Sequence, residues 1–178
     1  MTPNEAIQEI DRQIGFLLLS RSIFPYLPEE AVGKAGFIAG EFFRTRGYDV
    51  TCTFANAIDE HTRDKVNSIG HWINQNFIIR VHSILESCGL ISNKININQQ
   101  LAGWEEVDLV RRLRHKFGHS SGFCNPGDPD DKRLRLRLVE KFHLRDEDHQ
   151  PHLFPIPVDH VVVPLAEGCK SYIRASGS

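Results

Sequence analysis

Hydrophobic residues recur at three- and four-residue steps through several long windows of this chain, the spacing that places side chains on one face of an α-helix. The clearest window, residues 104–119, reads WEEVDLVRRLRHKFGH, with Trp104, Val107, Val110, Leu113 and Phe117 on one stripe. Glu105, Glu106 and Asp108 crowd its start, while Arg111, Arg112, Arg114, His115 and Lys116 crowd its end. That order suits the helix dipole. Gly118 reads as the stop, and a polar loop over 119–127 follows. A second, longer stripe of Ile69, Ile73, Phe77, Val81, Ile84, Leu85 and Cys88, closed by Gly89, predicts a central packing helix over 64–88.

The remaining elements follow from start and stop signals. Thr2, Pro3 and Glu5 form a capping box that opens a helix over 3–20, with Ile7, Ile10, Ile14, Leu17 and Leu18 inward. Pro28, Glu29 and Glu30 open a predicted helix over 28–46 carrying Val32, Ala35, Ala39, Phe42 and Phe43 and ending at Gly47. Gly33, Gly36 and Gly40 weaken it by roughly 1 kcal/mol each against alanine. Residues 48–67 are ambiguous: 49–54 alternate as an extended segment would, and a helix could resume from Ala55. Residues 90–98 form an asparagine-rich linker before the helix over 101–117. Asp128, Pro129, Asp130 and Asp131 announce another N-terminus. Residues 133–138 alternate like a strand, yet Leu134, Leu138 and Phe142 recur every four residues, so a helix over 129–144 is expected. A last helix, over 158–174, carries Val162, Leu165, Cys169 and Ile173, and Pro164 leaves its first turns open to an extended form. The sum is an all-α, single-domain bundle of five to six helices with no sheet.

Composition narrows the function classes. At 178 residues, 40% hydrophobic and 25% charged, the chain suits one soluble globular core. It has no apolar run near the roughly 18 residues of a membrane span, and its N-terminus lacks the basic flank of a secretory signal. A cytoplasmic protein without membrane association is expected. Cys52, Cys88, Cys124 and Cys169 lie far apart with no CxxC pair, so reduced thiols are expected rather than a disulfide framework or zinc ribbon. A net charge of -2 excludes a protein that coats nucleic acid with its whole surface. Any such contact is local, and 111–116 and 132–137 are the two basic candidates.

Arg114 is followed at once by His115 and, after four intervening residues, by His119. This segment resembles the R-x4-6-H motif of the HEPN superfamily (higher eukaryotes and prokaryotes nucleotide-binding domain), in which Asn, Asp or His follows the arginine near the end of a late helix. A long amphipathic helix before the motif, a polar loop after it and further helices beyond match the family's layout over about residues 60–175. The resemblance implies an all-α fold and, in its ribonuclease members, metal-independent RNA cleavage by a homodimer whose two motifs face each other in one composite site. It assigns Arg114 to phosphate binding and transition-state stabilisation, His119 to general acid-base work or hydroxyl positioning, and His115 to orienting the site. Arg111, Arg112, Lys116 and Ser120 would support the substrate. It also implies no cofactor and a setting in toxin-antitoxin or antiviral defence, with an antitoxin or a nucleotidyltransferase as partner. Some family members are non-catalytic modules that bind nucleotide, RNA or protein, which is the alternative expectation.

The residue chemistry is consistent with such a role. Attack by a 2′-hydroxyl needs a proton acceptor and positive charge on the phosphate; histidine titrates near neutrality, and arginine can fork two hydrogen bonds onto a phosphate. Two other readings compete. A histidine beyond a glycine can simply bond the free carbonyls of a helix end, beside arginines that serve the dipole. His115 and His119 could also ligate zinc with Cys124, though a fourth ligand would have to come from Cys52, Cys88 or His82, and no HExxH glutamate is present. Asp128, Asp130 and Asp131 are explained by the helix start, and His143, His149, His152 and His160 read as surface residues. No GxGxxG, GK[ST] or GxSxG motif occurs.

Overall fold

A computed structural model describes residues 1–92, 95–119, 122–145 and 152–177. Among these, six α-helices account for most of the described residues: α1 Pro3–Ile23, α2 Glu41–Arg44, α3 Glu60–Ser87, α4 Trp104–His119, α5 Pro129–Lys141 and α6 Val163–Ser176. Strands β1 (Gly36–Ile38) and β2 (Thr51–Thr53) make one small antiparallel sheet. The fold is mostly helical, as the periodicity predicts. No helix among the described residues is long and apolar enough to cross a membrane.

Side-chain caps fix the starts of several helices. The Thr2 hydroxyl accepts from the Glu5 N–H (3.3 Å) and the Glu5 carboxylate accepts from the Thr2 N–H (2.8 Å), closing the expected box. Asp128 accepts from the Asp130 N–H at 2.8 Å, so the alternating segment after it is helical. Asp59 starts α3 earlier than residue 64 by accepting from the Thr62 N–H at 2.7 Å.

The predicted helix over 28–46 does not form. A single 3-10 turn at Glu29–Ala31, β1 and the four-residue α2 occupy that stretch, and β2 lies in the ambiguous segment after it. The glycines explain the difference. Gly33 takes φ +86°, and Gly36 lies so close to the Cys52 carbonyl that a Cβ would not fit. These glycines therefore serve a turn and a hairpin, with Phe37 paired to Cys52. α6 is preceded by a π-helical turn at Val158–Val162, where the Val161 and Val162 N–H groups both donate to the Pro157 carbonyl, and Pro164 sits in the first turn of α6, where its missing N–H is tolerated.

The chain divides into two compact units. One, Gln13–Asn74, has a small core of Leu27, Ala31, Ile58 and Val66, with Phe37 and Phe54 packed on it. Asn67 clamps Leu27 there, its Oδ1 accepting from the Leu27 N–H (2.7 Å) and its Nδ2 donating to the Leu27 carbonyl (2.9 Å). The other, Met1–Arg12 with Gln75–Ser178, holds α4, α5 and α6. Its core includes Val107, Val110, Leu113 and Phe117 of α4, Leu134 and Leu138 of α5, and Leu165, Cys169 and Ile173 of α6. α4 packs on α6.

Candidate functional site

The candidate site is built on α4, whose buried stripe turns the opposite face outward. Trp104, expected on the buried stripe, stands instead off it and lines a cavity. At 100° per residue, Trp104, Asp108, Arg111, Arg112, His115 and His119 share one side of the helix, opposite Val110, Leu113 and Phe117.

α5 runs antiparallel beside α4 and is joined to it by ion pairs from end to end. Lys141 reaches Glu105 (2.5 Å) and Glu106 (2.9 Å), Arg137 reaches Asp108 (2.8 Å), and Lys116 pairs with Asp131 and lies 3.8 Å from Asp128. The acids at the start of α4, which the dipole alone would explain, thus have specific partners. The basic stretch 132–137 is largely used within the fold: Arg137 is in this ladder, Arg135 donates to the Leu153 carbonyl, and Arg133 stands near Asp130. Asp131 raises the Lys116 pKa by accepting its hydrogen bond. Lys116 therefore bridges α4 to α5.

Asp108 is the hub of the face. It is 7% exposed and accepts from Arg111 (2.8 Å), Arg112 (2.9 Å) and Arg137 (2.8 Å). Burial alone would raise its pKa; the hydrogen bonds from Arg137, Arg112 and Arg111 outweigh that and hold it below the usual carboxylate range. Arg111 and Arg112 are consequently oriented by Asp108 at the wall of a cavity of about 380 Å³.

Arg114 lies on the flank of α4, half-buried, and among the described residues it has no carboxylate partner. Its electrostatic neighbour is His82, a buried residue of α3. Burial lowers the His82 pKa, Glu86 at 3.3 Å opposes that, and Arg114 and Arg111 add to the lowering. His82 is thus held toward its neutral form, able to accept a proton. In the sequence it stands out only as a titratable residue inside an apolar stripe between Ile78 and Leu85.

His115 and His119 are both exposed, with ring centroids 4.6 Å apart and planes tilted by 51°. They stand in this relation because α4 continues through Gly118, the expected stop, to His119. Ser120 lies outside the described residues. Cys124 is buried and burial raises its thiol pKa. Among the described residues, no group of three or more His, Cys, Asp or Glu side chains is placed to share a metal ion. The cysteines described are all free.

The structure thus brings Arg111 and Arg112 together at the cavity and His115 and His119 together at the helix end, with Arg114 beside His82 on the flank. Comparison with known proteins finds no matching family model, no matching curated protein and no matching solved structure.

Proposed function

We propose that the chain is a HEPN-like, metal-independent endoribonuclease. The observation that carries this reading is the state of Arg114: Arg111 and Arg112 share the Asp108 carboxylate and Lys116 pairs with Asp131, whereas Arg114 has no carboxylate partner among the described residues and directly precedes the exposed His115, whose ring lies beside that of His119. A guanidinium not neutralised within the fold is available for a phosphate.

In the proposed reaction an RNA 2′-oxygen attacks the adjacent phosphorus and its proton passes to an imidazole, assigned to His119. Arg114 stabilises the charge on the pentacovalent phosphate. The P–O5′ bond breaks and the leaving 5′-oxygen takes a proton from water, giving a 2′,3′-cyclic phosphate and a 5′-hydroxyl, while the imidazole returns its proton to solvent. His115 orients the site, and a homodimer presenting two copies of the motif to one strand completes it. A role in defence or as a toxin, with a cognate partner, belongs to the same proposal.

The test is incubation of purified protein in EDTA with a mixed single-stranded RNA pool, beside the Arg114→Ala and His119→Ala variants, followed by analysis of product ends. Cyclic phosphate ends from the wild type, with cleavage reduced at least about 100-fold in both variants, are expected. Cleavage by Arg114→Ala at the wild-type rate would overturn the assignment. Binding without cleavage by an intact dimer would favour the non-catalytic module, in which the basic end of α4 holds a nucleotide, RNA or a partner protein.

A further inference from the structure

The C-terminal half of α1 carries a second apolar stripe besides the one it buries. Phe16, Leu19 and Ile23 follow one another at steps of three and four residues and are 54%, 46% and 40% exposed; Tyr26, three residues further on, is 68% exposed. At 100° per residue the first three fall within about 60° of one another, forming a ridge. The chain's own elements cover other sides of this half of the helix. The Tyr48 hydroxyl lies where a methyl group on Gly15 would touch it, and the Cys52 thiol donates to the Ile23 carbonyl at 3.8 Å. Arg21, opposite the ridge, is buried against Gly70 of α3 and donates to the Phe24 carbonyl.

The chemistry of the ridge says what it fits. Residues 13–28 contain one charged side chain, Arg21, and it is turned inward. One turn before the ridge, Arg12 is held by Glu9 at 2.8 Å. A phosphate backbone or an anionic headgroup finds no cation within residues 13–28, whereas exposed aromatic rings without charge are the composition of a protein interface core. Phe16 and Tyr26 bring rings of roughly 150–250 Å² each, and with Leu19 and Ile23 the exposed part comes to roughly 400 Å² per copy. Two copies face to face cover about 800 Å² before any rim is counted, and a polar rim brings that to the about 1,000 Å² a specific interface needs. The ridge is also its own complement. With a two-fold axis at Leu19 and antiparallel helices, Phe16 of one copy meets Ile23 of the other, the three-four spacing interlocks, and the helix dipoles oppose. We propose that α1 pairs in this way with α1 of a second copy of the chain. The contact is separate from the motif-to-motif dimer of the cleavage centre, uses residues outside the segment that resembles HEPN proteins, and stands whether or not the chain cleaves RNA. With both contacts in place the assembly exceeds a dimer.

Light scattering of the full chain, over a concentration series reaching millimolar, reads the particle mass. Leu19→Asp is expected to halve it and to weaken association at least about 100-fold, with an unchanged circular dichroism spectrum. Cross-linking tests the geometry and decides the matter should Leu19→Asp lose its fold. In a Cys52→Ser, Cys88→Ser background, mild oxidation of Leu19→Cys is expected to give a covalent dimer, because the two-fold axis brings its two copies within disulfide reach. Phe16→Cys is expected not to link to itself, since its copies stand three residues to either side of the axis, about 9 Å apart along the helices. A wild type that stays monomeric throughout the series would overturn the proposal and leave the ridge to a different protein. A folded Leu19→Asp of wild-type mass, a Leu19→Cys that does not cross-link, or a Phe16→Cys that links as readily would overturn it too.

Discussion

At the scale of single residues, neighbours decide what a charge is for. Arg111, Arg112, Arg114 and Lys116 look equivalent as a basic run at a helix end. The fold separates them into two arginines set by Asp108, a lysine spent on Asp131, and Arg114 beside His82. Position on the helix made Arg114 and His119 legible in the sequence. Asp108 was not legible as a hub, since one of its three partners, Arg137, arrives from another helix. His82 supplies a pH prediction. Its pKa lies below the ordinary 6.5, chiefly through burial, with Glu86 opposing and Arg114 and Arg111 reinforcing. The unfolded chain therefore takes up this proton first as the pH falls. The stability that neutral His82 contributes is complete above about pH 6.5 and is lost as the pH falls from there toward the lower folded value. Urea unfolding midpoints between about pH 7 and about pH 5 should fall less steeply in His82→Gln than in the wild type. Parallel profiles would show that His82 is not the titrating group.

At the scale of elements, capped helices were readable and glycine-rich stretches were not. Asp128 and Pro129 identified α5 against a strand-like alternation, because a side-chain cap is a local interaction that the sequence states directly. The β1–β2 pair was missed because its glycines matter through contact with residues some 15 positions away, such as Gly36 against Cys52. A comparable contact sets the join of α4 and α6. Gly103, at φ +83° just before α4, lies where a methyl group would run into the Gly168 carbonyl of α6. Gly103→Ala is expected to destabilise by more than about 1 kcal/mol, from the positive φ and the clash together. The shift of the urea midpoint measures it, and an unchanged midpoint would mean that α6 moves aside freely.

At the scale of the whole molecule, the basic face of α4 and most of the exposed large hydrophobic residues lie in different units. The net charge of -2 hides a face of α4 on which positive charge exceeds negative, while much of the basic stretch 132–137 is consumed within the fold. The motif belongs to the unit that holds α4, whereas Phe16, Leu19, Tyr26, Ile69 and Trp72, all at least 40% exposed, belong to the other. Helical periodicity cannot distinguish a stripe that is buried in its own chain from one left open, which is why Ile69 read as core. Finally, two exposed imidazoles one helical turn apart are a two-point chelator for soft divalent ions. The untagged protein should hold to a nickel column, and His119→Ala should elute at lower imidazole concentration. The same pairing makes trace zinc an inhibitor of the proposed cleavage, since it would occupy the nitrogens that move the proton. A chelator in the assay would then raise the rate, the reverse of its effect on a metal-dependent nuclease.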